Sequence, residues 1–198
     1  MLYLATPSTQ AVRDAMVAGL LGQMVTPNSG NVLEPGVLWA LDNGCFGDQW
    51  REDRWRATLE RHADAPDCLF AVVPDVVCDA DATAARWDRY VDTVTGYGYR
   101  PAFVTQNGCR EIPAEAAAVF TGGDDTWKLS DEAQALAAGT RWSHMGRVNT
   151  LRRLRFAFFH GYDSVDGTIL AFGPDVNLPR LLRYLTRAHH PTLWGGAA

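Results

Sequence analysis

Several short runs in this 198-residue chain set acids, amides or a histidine beside glycine or proline. They are Asp42-Asn43-Gly44, Pro74-Asp75, Gln106-Asn107-Gly108, Gly122-Gly123-Asp124, His144-Met145-Gly146-Arg147 and Asp163-Ser164-Val165-Asp166-Gly167. Each follows or closes an apolar stretch of strand type. Glycine at such places lets the backbone approach a ligand closely. A single Asp there most often caps the next helix or makes a turn. Three strand-end aspartates, Asp42, Asp75 and Asp166, together with Gln106 point instead to a site. Two carboxylates at a concave site suit glycosyl chemistry, one attacking or stabilising the anomeric carbon and the other handling the proton. An Asp beside an amide such as Gln106 can read the donor and acceptor edge of a nucleobase. Carboxylate clusters also bind magnesium, so a metal-dependent enzyme stays open at this point.

Other chemistry finds less support. The chain has no G-x-S-x-G, no H-E-x-x-H, no G-x-G-x-x-G after its first strand and no G-x-x-x-x-G-K-[ST]. Among the histidines, His144 stands out because Gly146 and Arg147 follow it at an expected strand end. Trp127, after Gly-Gly-Asp-Asp-Thr, is a core residue or a flank for a planar ligand.

These runs need elements to carry them. Strands are expected at 2–5, 37–42, 68–75, 101–108, 118–123, 142–148 and 163–168. The near-continuous apolar run at 68–75 is typical of a strand covered on both faces. Helices are expected at 9–21, 50–63, 80–94, 113–117, 131–139, 151–161 and 178–190, and a loop at 26–31. About seven strands alternating with helices predict a mostly parallel sheet. The expected fold is α/β: a trimmed TIM-like (β/α) barrel of seven to eight parallel strands forming one domain over 1–198, with a doubly wound sheet as the structural alternative. In a barrel all of these strand ends converge on one face.

Composition bounds the setting. Hydrophobic residues make 47% and charged residues 21%, so a folded globular chain is expected. Net charge is −5, which is not that of a protein coated in positive charge for nucleic acid. The charge is unevenly spread: 133–162 hold Arg141, Arg147, Arg152, Arg153 and Arg155 and no acid, and 176–198 add Arg180, Arg183 and Arg187. One basic face on an acidic protein, or a solvated helix side, would both give this pattern. All the basic residues are Arg except Lys128, a bias that genome composition alone can produce. Cys45, Cys68, Cys78 and Cys109 form no C-x-x-C pair and read as reduced thiols of a cytoplasmic protein. No apolar run approaches 18 residues, and the N-terminus lacks a signal-peptide pattern, so neither membrane span nor leader is expected.

The order of the motifs resembles the tRNA-guanine transglycosylase superfamily over roughly residues 37–168. Asp42-Asn43-Gly44-Cys45-Phe46-Gly47 is similar to that family's Asp-Ser-Gly-Gly-Phe-Gln loop, and Val73-Pro74-Asp75 to its base-binding strand end. Val104-Thr105-Gln106-Asn107-Gly108 is similar to its Val-Gln-Gly-Gly, Thr121-Gly122-Gly123 to its pocket-lining glycines, and Gly161-Tyr162-Asp163-Ser164-Val165-Asp166 to its Gly-Ile-Asp-Met-Phe-Asp. Asn43, Cys45 and Gly47 depart from the first motif. The family's tRNA enzymes also carry a Cys-x-Cys-x-x-Cys zinc site with a distant His, which has no counterpart here, and they are about twice as long.

The resemblance implies Asp166 as nucleophile and Asp42 as acid/base. It implies base binding by Asp75, Gln106, Gly108, Gly122 and Gly123, with Asn43, Phe46 and His144 at the same pocket. A compact zinc-free relative resembles the DNA-modifying branch, including phage-encoded members, which inserts 7-deazaguanines into DNA. The expected reaction is exchange of guanine in DNA for a base such as 7-cyano-7-deazaguanine, with no metal or cofactor. Arg147, Arg152, Arg153 and Arg155 would meet phosphates. DNA is favoured over tRNA as partner, no membrane is involved, and a homodimer stays open. The alternatives are exchange in tRNA with a partner subunit, hydrolysis of a nucleoside or base, and an inactive nucleic-acid-binding barrel.

Overall fold

A computed structural model describes residues 1–47, 50–139 and 141–189. Eight parallel strands close into a barrel: β1 Leu2–Ala5, β2 Gly22–Val25, β3 Trp39–Leu41, β4 Cys68–Val72, β5 Pro101–Thr105, β6 Ala118–Thr121, β7 Trp142–Met145 and β8 Ser164–Asp166. Each pairs with the next in sequence, and β8 returns to β1 through Leu2–Ser164, Tyr3–Val165 and Leu4–Asp166. The helices are α1 Gln10–Val17, α2 Glu52–His62, α3 Ala80–Gly96, α4 Asp125–Lys128, α5 Asp131–Ala137, α6 Leu151–Phe159 and α7 Pro174–His189. The trimmed TIM-like barrel is therefore the fold, and the doubly wound alternative falls because the sheet closes.

The strand missing from the sequence reading is β2. The expected helix over 9–21 stops at Val17, because Gly19 takes a left-handed conformation (φ 73). Gly19 N–H donates to Met16 O and Leu20 N–H to Ala15 O, the paired bonds of a Schellman ending. That leaves Gly22–Val25 free to pair with both β1 and β3. Polar Gln23 hides this strand in the sequence. It is fully buried, donating to Val32 O and accepting from Glu34 N–H.

Two helical expectations also change. Residues 113–117 form a turn, since the run is too short to nucleate and Ala117 N–H goes to Pro101 O at the sheet. The last helix begins at Pro174, where proline suits a first turn, rather than at 178. His190, its expected end, lies outside the described residues.

Apolar contacts fill two spaces. Inside the barrel, Leu4, Met24, Ala40, Phe70, Val72, Ala102, Val104 and Ala118 pack together. Outside it, helices seal against the opposite strand faces, with Trp39, Trp55, Trp87 and Phe103 in one cluster and Tyr3, Met16, Leu154 and Val165 in the other. The alternation of strand side chains between these spaces decides what the site contains. All four cysteines are free thiols. Among the described residues no helix is long and apolar enough to cross a membrane.

Candidate active site

Following each strand's inward positions toward its C-terminal end leads from one layer of side chains to the next. Ala40 is succeeded by Asp42, Val104 by Gln106, Phe120 by Gly122, His144 by Gly146 and Ser164 by Asp166. The lower layer, apolar except for His144 and Ser164, forms the floor, and the next layer faces a cavity of about 420 Å³ at the C-terminal mouth of the barrel. Asp42, Asn43, Asp75, Gln106, Gly122, Gly123 and Asp166 all line it, as do Phe46 and Arg147. This is the face on which barrel enzymes carry their chemistry.

One wall is an interlocked amide and carboxylate network. Asp75 is buried, and its two oxygens accept from Asn43 Nδ2 at 2.7 Å and Gln106 Nε2 at 2.5 Å. Gln106 Oε1 accepts from Cys78 N–H at 2.7 Å, which fixes the amide's orientation. Asn43 Nδ2 also donates to Val73 O, while its Oδ1 accepts from Cys45 N–H. Burial pushes the Asp75 carboxyl up, and these amides oppose that shift. Arg86, which the sequence reading did not single out, donates to Asp75 O at 2.5 Å and lies over the Trp50 ring.

Asp42, at the end of β3, is pushed up to about 7, first by burial, then by the charges of Asp166 and Asp75. Backbone N–H groups of Asn43 and Gly44 act in the other direction. Asp42 therefore changes protonation near neutral pH, as an acid/base group must. Asp166 retains 23% side-chain exposure. Its Oδ1 accepts from Arg147 N–H at 2.7 Å. Arg147 reaches that position through a left-handed backbone (φ 60), a conformation costing roughly 1–2 kcal/mol for a residue with a side chain.

Glycine is required where strand ends crowd together. A Cβ on Gly146 would lie 2.6 Å from the Phe120 ring, and one on Gly122 would lie 2.7 Å from Val104 Cγ1 and 2.8 Å from Gln106 Nε2. These positions keep the cavity open and leave Gln106 on Asp75.

Lys128 is the functional candidate the sequence reading passed over. It ends α4, is 3% exposed, lines the cavity and donates from Nζ to Gly146 O at 3.0 Å. Burial, with Arg147 next, pulls its ammonium down to about 8, while Asp166 opposes the shift. Its uniqueness as the sole lysine was the available signal; a chain otherwise built with Arg placed its one ammonium here.

Two residues expected in the base pocket, Gly108 and His144, sit outside the cavity, and the four arginines expected at phosphates divide between two places. Gly108 is in an exposed turn (φ 83) that lines a separate surface hollow with Cys78 and Arg110. His144 is wholly buried beneath the cavity, between Phe70 and Phe120, so it does not touch the cavity space. Arg147 belongs to the cavity wall: its guanidinium donates to Gly123 O at 2.6 Å and lies 4.3 Å from the Phe46 ring centroid. Arg152, Arg153 and Arg155 line a separate groove on α6. Of these, Arg153 is paired with Asp125 and donates to Arg147 O, and Arg152 is exposed. Trp127 packs in the core cluster outside the barrel and does not flank the cavity.

Among the described residues, no three His, Cys, Asp or Glu side chains converge in a way that could hold a metal ion. The Asp75 carboxylate is engaged by amides, and those of Asp42 and Asp166 by backbone N–H groups. No protein-family model and no curated protein matches this chain.

Proposed function

We propose that this chain is a base-exchange transglycosylase that replaces guanine in DNA with a 7-deazaguanine such as 7-cyano-7-deazaguanine. The observation that supports it best is the joint presence, in one cavity, of the Asp42 and Asp166 carboxyls and the Asp75–Gln106 edge. A planar base fits the chemistry of that edge, with carboxylate and amide groups offering both acceptors and donors. The target nucleotide would leave the base stack to reach the cavity.

In this reading an Asp166 oxygen attacks C1′ of the target nucleoside. The glycosidic bond breaks toward guanine N9, and protonated Asp42 supplies the proton that the departing base needs. The C1′ carbon of the deoxyribosyl unit is then held as an ester on Asp166. The incoming deazaguanine gives its N9 proton to the Asp42 carboxylate and attacks C1′, which returns Asp166 to its free form. Every proton and electron pair is accounted for without a cofactor. Arg152 and its α6 neighbours would meet the polynucleotide backbone.

The test is incubation with radiolabelled guanine and, separately, duplex DNA, single-stranded DNA or bulk tRNA, counting label retained in polymer. Label in DNA, lost in D166A, is the expected result. Label in tRNA alone would replace DNA as substrate. Abasic sites without label would mean hydrolysis, and no change in any polymer would remove the enzymatic reading.

A further inference from the structure

Beneath the cavity runs a buried polar chain that the exchange steps above leave unused. His144 has no exposed surface. Its ring is tilted on Phe120 with centroids 4.5 Å apart and edge-on to Phe70 at 5.3 Å. Only its two ring nitrogens remain for polar contact. Nδ1 is 2.8 Å from Ser164 Oγ, and the same Oγ accepts from Trp142 Nε1 at 2.8 Å. Nε2 is buried without a hydrogen-bond partner and lies 3.6 Å from Asp166 Oδ1.

Counting protons along this chain fixes the imidazole. An indole N–H can only donate, so Ser164 Oγ accepts from Trp142. Nδ1 is then the acceptor at hand for the Ser164 hydroxyl proton. A neutral ring accepting at Nδ1 carries its own proton on Nε2, whereas a protonated ring has an N–H at Nδ1 as well and leaves the Ser164 proton without that acceptor. The remaining form, neutral with Nδ1–H, would strand the serine proton in an apolar core and turn the Nε2 lone pair toward a carboxylate. Leaving one such buried group unpaired costs about 1–3 kcal/mol. The surviving form, neutral with Nε2–H, directs an N–H at Asp166.

We propose that His144 is a positioning residue for Asp166, its Nε2–H set by the Trp142–Ser164 relay and directed at Oδ1 from below. This rests on the reading of Asp166 as the attacking group. Arg147 N–H already holds Oδ1 at 2.7 Å. With His144 on the same oxygen, both donors restrain Oδ1, and Oδ2 is the atom left to attack. The 3.6 Å separation is longer than a hydrogen bond, and it shortens to one when substrate engages Asp166, as catalytic contacts commonly do.

Two measurements on the full chain test this. Long-range proton–nitrogen NMR of the histidine rings should show His144 with a protonated Nε2, and D166N should move that Nε2–H resonance. An Nδ1–H tautomer, or a resonance indifferent to D166N, would overturn the proposal whatever the enzyme's activity. In the exchange assay, H144L should lower kcat by about tenfold to a hundredfold with little change in KM. H144Q, which restores an N–H donor, should recover part of the loss. S164A, which removes only the relay hydroxyl, should lower kcat in the same direction. Wild-type kcat in both S164A and H144L would overturn it. Absence of exchange in the unmodified chain would remove the transglycosylase reading, while the NMR result would still decide the Asp166 contact.

Discussion

Protonation divides the labour among the cavity's charged side chains. Asp42 titrates at about 7 in the folded chain, against an ordinary carboxyl value near 4. Its raised value means that the neutral form is the one the fold favours. The stability it contributes is complete below about pH 4 and is lost as pH rises through 7. D42N keeps a neutral group at every pH, so its melting temperature should gain on the native chain between pH 4 and pH 8. The gain should be ~2–4 °C for each kcal/mol, read by calorimetry across that range. A pH-independent difference would show that Asp42 ionises freely. The same residue sets a kinetic expectation: kcat for exchange falls above pH 7, and D42N lowers it by roughly 10²–10⁴-fold and removes that limb. Lys128 offers a separate test. K128M deletes a buried donor to Gly146 O and a cation beside Asp166. It should cost about 1–3 kcal/mol in denaturant unfolding, with a clear loss of exchange in the fraction that remains folded.

Single elements make the site by where they stop. β7 ends at Met145, and Gly146 follows with no room for a side chain against Phe120. G146A should therefore destabilise by about 1–3 kcal/mol through overpacking, measured by urea unfolding, and should weaken exchange by displacing Asp166's neighbours. An unchanged midpoint would mean that the Phe120 ring can give way. Helix α4 is only four residues long, capped by Asp124 accepting from Trp127 N–H at 2.8 Å, yet it carries Lys128 into the cavity. Its shortness explains why periodicity did not reveal it. α1 shows the converse: the hydrophobic pattern runs through to Leu21, but the left-handed Gly19 ends the helix early and makes room for β2.

Across the whole molecule, eight short strands and a covering of helices bring residues as far apart as Asp42 and Asp166 to one mouth. The acidic net charge of −5 coexists with exposed Arg152 on α6. If this face carries the polynucleotide, log K falls linearly with log salt, and R152A lowers the slope by about 1 without changing sequence preference. Titration of DNA binding at several salt concentrations checks this, and an unchanged slope would place the backbone elsewhere.

The sequence carried the β/α rhythm, the order of the polar strand ends and most of the cavity wall, because the alternation of apolar runs with helical stretches and the placement of glycine and proline are local properties. Asp42, Asp75, Gln106 and Asp166 were legible on those grounds. Closure of the barrel was not, since it depends on β2, whose buried Gln23 finds its partners only in the loop at Val32 and Glu34. The depth of His144 and the reach of Lys128 were also hidden. Both follow from strand stagger and loop path, which decide whether a side chain near a strand end lies above the floor or beneath it. Proton affinity was decided at the same level: Asp42 becomes an acid near neutral pH only where burial and two other carboxylates meet it in space.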